Sequence, residues 1–225
     1  MKMWPSRRLK TQSSFLASLK GMSFPIISIE NPLILASASP RRKRLLAQAG
    51  LPFRIIKSQV DEKKPARGPA QGCRELAEKK AWQVYLSTES SWVLGADTMV
   101  IIDDKILGKP RDEMDARQML YLLGGKAHEV MTGFCLIDPS GRVAHSEVVG
   151  TMVRFKPLTG QEIDAYISTG EPFGKAGGYG IQGIGAFMVE SISGSYTNVV
   201  GLPLCAVIKA LIGAGALTRF PLPTL

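Results

Sequence analysis

Cysteine, histidine and long apolar runs are all scarce in this 225-residue chain. Its three cysteines, Cys73, Cys135 and Cys205, are widely separated and odd in number. There is no C-x-x-C pair, and His128 and His145 stand at no metal-like spacing, so a zinc-type ligand set and a disulfide framework are both excluded. Buried thiols that serve packing, in a reducing compartment, are expected instead. No apolar stretch approaches the ~18 residues that a bilayer span needs. Aromatic residues make up only 7% of the chain, which leaves little for nucleic-acid recognition. Acid is short as well: 28 Lys and Arg face 19 Asp and Glu, for a net charge of +9. The excess is uneven. Residues 1–31 hold Lys2, Arg7, Arg8, Lys10 and Lys20 against Glu30 alone. The charge left on the remainder suits small polyanions better than a nucleic-acid surface.

What is present is an ordinary globular composition, 45% apolar and 21% charged. That is enough for one sizeable core, or for two lobes sharing one. Residues 1–31 are basic, contain serine and lack the apolar segment of a secretory signal. They are expected to form a poorly ordered extension; a transit peptide, or a start at Met22, would account for the same pattern. Beyond them strand-like and helix-like segments alternate, which points to an α/β fold. Strands are expected at 33–36, 53–57, 92–96 continuing through 99–102, 128–137, 142–155 and 186–192. Helices are expected from Pro40, over 74–87, from about Asp112 to Gly124, from Thr159 to Thr169, and over 202–211. Thr159 and Glu162 form a capping box. Asp138-Pro139-Ser140-Gly141 is a turn between two long strands. Glycine crowds residues 174–185, as in a mobile or ligand-wrapping loop.

The chemistry starts at LILASASPRRKRLL, residues 33–46. An apolar strand runs into Ser37 and Ser39, then Pro40 opens a helix with Arg41 and Arg42 in its first turn. Ser39 is an N-cap and Pro40 the first helical residue. Two arginines oppose the helix dipole unless an anion sits there, and phosphate matches the arginine fork; a solvated basic helix end is the other reading. A second strand delivers Asp97 and Thr98 at its carboxyl end, where ligands of α/β sheets bind. A carboxylate beside phosphates can hold a divalent cation or activate water; alone it would read as a turn residue. Glu62 follows Asp61 in a polar loop. Lys80 shares a helix face with Ala77 and Ala81, so its ammonium can reach a pocket along an apolar stem. Lys109 is fixed between Gly108 and Pro110. Gln182 stands between glycines, an amide that can read a base edge.

Together the words SASPRR (37–42), GADT (95–98), LGKPRD (107–112), TG (132–133), KAGGYGIQG (175–183) and NVVGLP (198–203) resemble the Maf family of nucleotide pyrophosphatases. They occur in the family's order and cover about residues 32–213. The resemblance implies a two-lobed α/β mixed-sheet fold like that of inosine-triphosphate pyrophosphatases, with the site between the lobes. It implies a cytoplasmic enzyme, often a homodimer, with no nucleic-acid or membrane partner. The activity would be hydrolysis of a nucleoside triphosphate to monophosphate and pyrophosphate with Mg²⁺ or Mn²⁺. By matching position, Asp97 would accept the proton from water and, with Glu62, hold the metal. Ser37, Arg42, Lys80 and Lys109 would bind phosphates. Arg41, Thr98 and Gln182 match positions tied to the choice of dTTP and UTP. The domain would span 32–213, between the 1–31 extension and a 214–225 tail. Gly174 departs from the family, where many relatives have Asp. A regulator of cell division that senses nucleotides without hydrolysing them is the alternative.

Overall fold

A computed structural model describes residues 24–61, 68–88 and 90–222. Its centre is a seven-stranded mixed sheet in the order β2-β1-β3-β5-β6-β7, with β4 paired to β3. The strands are β1 (Leu33–Leu35), β2 (Phe53–Ile55), β3 (Val93–Ile102), β4 (Lys105–Leu107), β5 (Ala127–Ile137), β6 (Val143–Phe155) and β7 (Val189–Ser193). β1 runs parallel to β2 and β3, and the other pairings are antiparallel. The helices are α1 (Pro40–Gln48), α2 (Pro69–Thr88), α3 (Glu113–Leu123), α4 (Gly160–Ser168), α5 (Tyr196–Val200) and α6 (Leu204–Gly213).

Alternation along β3 and β5 divides the molecule. Even-numbered Leu94, Ala96, Phe134 and Leu136 join Leu33, Leu45, Val207 and Leu211 in one core. Further along the same face, Val100, Ile102 and Val130 join Leu120, Leu123, Ile163 and Tyr166 in a second. Thr98 and Thr132, paired across the strands, lie between the two apolar clusters. The two lobes thus share their strands, and a polar seam separates them. The odd-numbered face carries α2, with Val93 and Ile137 against Ala77 and Ala81. Contact there is backbone to backbone. A Cβ on Gly95 would stand 2.7 Å from the Ala81 nitrogen and closer still to the Ala77 carbonyl. One on Gly133 would stand 2.5 Å from the Cys73 carbonyl. Glycine at these two sites lets the helix lie directly on the strands.

Local signals hold where capping decides. Ser39 caps α1 with Pro40 in its first turn, Asp112 caps α3, and the Thr159–Glu162 box caps α4. Differences arise where packing decides. α2 begins at Pro69, five residues ahead of Arg74, because burial of Cys73 and Leu76 outweighs the ~1 kcal/mol helix cost of Gly72. A strand was expected over 186–192. Instead Ile184–Met188 forms 3-10 turns ahead of β7, since the Glu171 carboxylate takes the N–H groups of Ile184 and Gly185. The short α5, capped by Ser195, and the three-residue β4 were not anticipated. Chain assigned to the extension and the tail also packs: Ile27 is buried, its N–H donates to the Ala216 carbonyl, and Leu217 is buried. The Trp92 indole donates to the Pro25 carbonyl.

His128 sits in the second core, only 1% exposed. Its Nε2 lies 2.8 Å from the Tyr179 hydroxyl, with Phe155 edge-on at 4.9 Å. Burial pulls its pKa from 6.5 down to about 4. Between those values the unfolded chain binds the proton and the folded one does not, so the contribution is complete above about 6.5 and shrinks as pH falls toward 4. The loss expected from this group is about 3 kcal/mol. Urea unfolding of wild type and His128→Gln between pH 4 and 7 checks it: the variant lacks this slope.

Candidate active site

A cavity of about 440 Å³ opens on the seam between the lobes, a size typical of small-molecule sites. It takes in the end of β1 and the start of α1, through Ser37, Arg41 and Arg42. Lys80 of α2 and Asp97 and Thr98 of β3 form another part of the wall. Lys109 and Gln182 come from the two loops across the cleft. Eight of the nine residues singled out in the sequence therefore line one cavity. Glu62 lies outside the described residues.

Asp97 and Lys80 form a buried ion pair, Nζ to Oδ1 2.6 Å, each side chain at most 10% exposed. Gly95 explains the contact: with no side chain in the way, α2 comes close enough for Lys80 to reach the odd face of β3. The pair fixes the carboxylate at the cavity wall.

The two arginines differ. Arg42 is buried, and its guanidinium is held on three sides. Nε donates to the Gly201 carbonyl at 2.7 Å, one terminal nitrogen to the Ser37 hydroxyl at 3.1 Å, and the other to Thr98 at 3.0 Å. Thr98 Oγ1 lies 3.0 Å from Thr132 Oγ1, which donates to the Asn198 carbonyl at 3.2 Å. The Asn198 amide donates to the Val130 carbonyl and to Thr151. A chain of hydrogen bonds thus runs from the arginine through both seam threonines to α5. Arg41 makes no such bond among the described residues, and burial alone lowers its pKa. Lys175 is lowered by burial first and then by the charge of Arg41.

The start of α1 faces the cavity with Ser37 through Arg42 and no acid in its first turn. Lys109 is exposed, on a loop whose Gly108 carbonyl accepts from the Gly177 N–H at 3.0 Å. Gly174 takes φ +75° with open space around it. Sequence reasoning gave no role to Lys175, Thr132, Asn198 or the Gly201 carbonyl. All four lie inside the words TG, KAGGYGIQG and NVVGLP, which was the available signal. The cysteines divide. Cys73 and Cys135 are buried, and burial pushes both thiols up to about 12, unsuited to nucleophilic work. Cys205 is exposed on α6, contrary to the expected burial, because it points away from the helix face that carries Val207 and Leu211.

Comparison with known proteins places this arrangement among relatives. A family model described as Maf-like protein matches residues 32–214. The chain is 50% identical over 190 residues to a dTTP/UTP pyrophosphatase of Halalkalibacterium halodurans, covering 84% of this chain and 99% of that protein. It is 47% identical over 194 residues to the dTTP/UTP pyrophosphatase of Syntrophotalea carbinolica, covering 85% and 88%. A crystal structure of a nucleoside-triphosphatase / dITP/XTP pyrophosphatase from Mycobacterium abscessus aligns at a TM-score of 0.34 and 14% identity, over 55% of this chain and 72% of that one. That likeness is too slight to bear on the fold.

Proposed function

The chain belongs to the Maf family, and from that premise we propose that it hydrolyses dTTP, UTP and modified pyrimidine analogues to the monophosphate and pyrophosphate. The observation that carries this reading is the Lys80–Asp97 pair in the same cavity as the α1 start and its arginines. Cleavage between the α- and β-phosphates needs a positioned water, a base for its proton and cations around the leaving pyrophosphate. Asp97 takes the base role; Lys80, which holds its carboxylate, also meets the phosphates from the cavity wall. Ser37, Arg42 and Lys109 hold phosphate oxygens together with the first-turn N–H groups of α1. Gln182 reads the base, offering both donor and acceptor. Arg41 and Thr98 bear on base choice indirectly, through the phosphate tail that positions the nucleoside, Thr98 by holding Arg42 in place and Arg41 from the cavity wall.

The donor chemistry fits a hard divalent cation. Mg²⁺ is held by one or two carboxylates together with substrate phosphates, and Asp97 puts a carboxylate at the cavity wall. Among the described residues no cluster of three or more His, Cys, Asp or Glu gathers. The triphosphate and Glu62 would complete the ligands of Mg²⁺ or Mn²⁺. When bound, the ion neutralises phosphate charge and lowers the pKa of coordinated water.

Within the same reading the protein is a cytoplasmic homodimer, with its catalytic unit over 32–213. No helix among the described residues is long and apolar enough to cross a membrane. A pyrophosphate-release screen over common and modified nucleoside triphosphates, with Mg²⁺ or Mn²⁺ and with chelator, tests the proposal. Turnover is expected with dTTP and UTP, and chelator abolishes it. Binding of a triphosphate without turnover would favour the regulator instead.

A further inference from the structure

We propose that Lys175 is a further substrate-binding residue, which with Arg41 clasps the pyrophosphate portion of the substrate from the side of the glycine-rich loop. The inference rests on the nucleotide reading above and adds a cation to it. Lys175 and Arg41 line the same cavity, one on the loop after α4 and the other in the first turn of α1.

The loop is built around one acid. The Glu171 carboxylate accepts from the Ile184 N–H at 2.8 Å, the Gly185 N–H at 3.0 Å and the Tyr166 hydroxyl at 3.0 Å. Tyr166 in turn accepts from the Gly180 N–H at 3.1 Å. The glycines leave room for these side chains. A Cβ on Gly183 would meet the Glu171 carboxyl carbon at 2.7 Å, and one on Gly180 would meet Lys175 Cε at 2.9 Å. The Lys175 stem is therefore pressed against Gly180, and its ammonium donates to the Glu171 main-chain carbonyl. That is its one hydrogen bond among the described residues. An ammonium has three donors, so two remain for the cavity.

Charge decides which part of a nucleotide they meet. Arg41 and Lys175 are both partly desolvated, and Arg41 opposes the charge on Lys175, which Glu171 offsets in part. A base carbonyl could accept a hydrogen bond from either cation but would leave their repulsion in place. A phosphate oxygen accepts the bonds and supplies the missing negative charge.

The test is calorimetric titration of inorganic pyrophosphate, and separately of dTMP, into the full chain as wild type, Lys175→Met and Lys175→Arg, with melting temperatures measured alongside. Loss of one charge-assisted pair is expected to weaken pyrophosphate binding to Lys175→Met about 10- to 100-fold. Arg at the position retains most of the affinity, and dTMP binding is unchanged. Lys175→Gln replaces the Met variant if that one melts early, and is read the same way. Equal pyrophosphate affinity in wild type and the uncharged variant overturns the inference. So does a loss confined to dTMP. If the wild type binds neither ligand, the nucleotide reading itself fails; if it binds both and the variant matches it, only the role of Lys175 fails.

Discussion

Asp97→Asn is expected to lower pyrophosphate release from dTTP or UTP by about 10²- to 10⁴-fold, the usual cost of removing a general base. Asn keeps the shape of the side chain but cannot take a proton from water. Most ground-state contacts to the triphosphate come from cationic side chains and the helix start rather than from Asp97, so at saturating Mg²⁺ KM should move less than kcat. A second consequence follows from the ion pair. Lys80 lies 2.6 Å from the carboxylate, buried with it. Neutralising one partner removes the carboxylate charge from a buried ion pair, a change that costs up to about 3–5 kcal/mol when a pair is fully desolvated. A lower melting temperature therefore accompanies the lost rate. Lys80→Met separates the two effects: it removes the charge beside Asp97 and keeps the carboxylate. Steady-state kinetics and melting curves on both variants measure them. Wild-type rates in Asp97→Asn would remove Asp97 from the mechanism.

Gly95→Ala is expected to damage stability and activity together, although only one methyl group is added, within the central strand β3. The new Cβ would stand 2.7 Å from the Ala81 nitrogen and nearer to the Ala77 carbonyl. Both obstacles are helix backbone and cannot rotate away. α2 must retreat from β3, which draws Lys80 off Asp97 and opens the core of Val93, Ala77 and Ala81. Overpacking of this kind costs typically 1–3 kcal/mol, occasionally more. Gly213→Ala is the control. Gly213 closes α6 with nothing within 4 Å of its Cβ position, so alanine there is expected to be neutral or to stabilise by up to about 1 kcal/mol. Urea unfolding of the three proteins, with pyrophosphate release assayed on each, distinguishes the steric account from a general intolerance of alanine.

The elements that could be read in advance are those set by a few neighbouring residues. The α1 start needed only Ser39, Pro40 and the apolar run before them. The α4 start needed only Thr159 and Glu162. The turn on Asp103 and Asp104, both at positive φ, is legible after the run 99–102, but the three-residue β4 beyond it is too short to show a pattern. The glycine-rich segment was recognised as a loop, yet its 3-10 turns depend on Glu171, which lies 13 and 14 residues before the N–H groups it binds.

The site divides along the same line. Lys80 could be inferred because a helix face fixes its direction. The difference between Arg41 and Arg42 could not. The two are adjacent in one helical turn, and only the tertiary arrangement sends Arg42 to Gly201, 159 residues away, and leaves Arg41 on the wall of the cavity that Lys175 also lines. Thr132 and Asn198 belong to the same class. Each is an ordinary polar residue until β3, β5 and α5 meet on the seam.

A single water molecule is the heart of the mechanism, and isotope labelling follows it. Hydrolysis of dTTP in ¹⁸O-enriched water, with mass analysis of both products, reports which phosphorus was attacked. A water readied by Asp97 and directed at the α-phosphorus puts one heavy oxygen into dTMP and none into pyrophosphate. Label in pyrophosphate, or in released orthophosphate, would contradict the account.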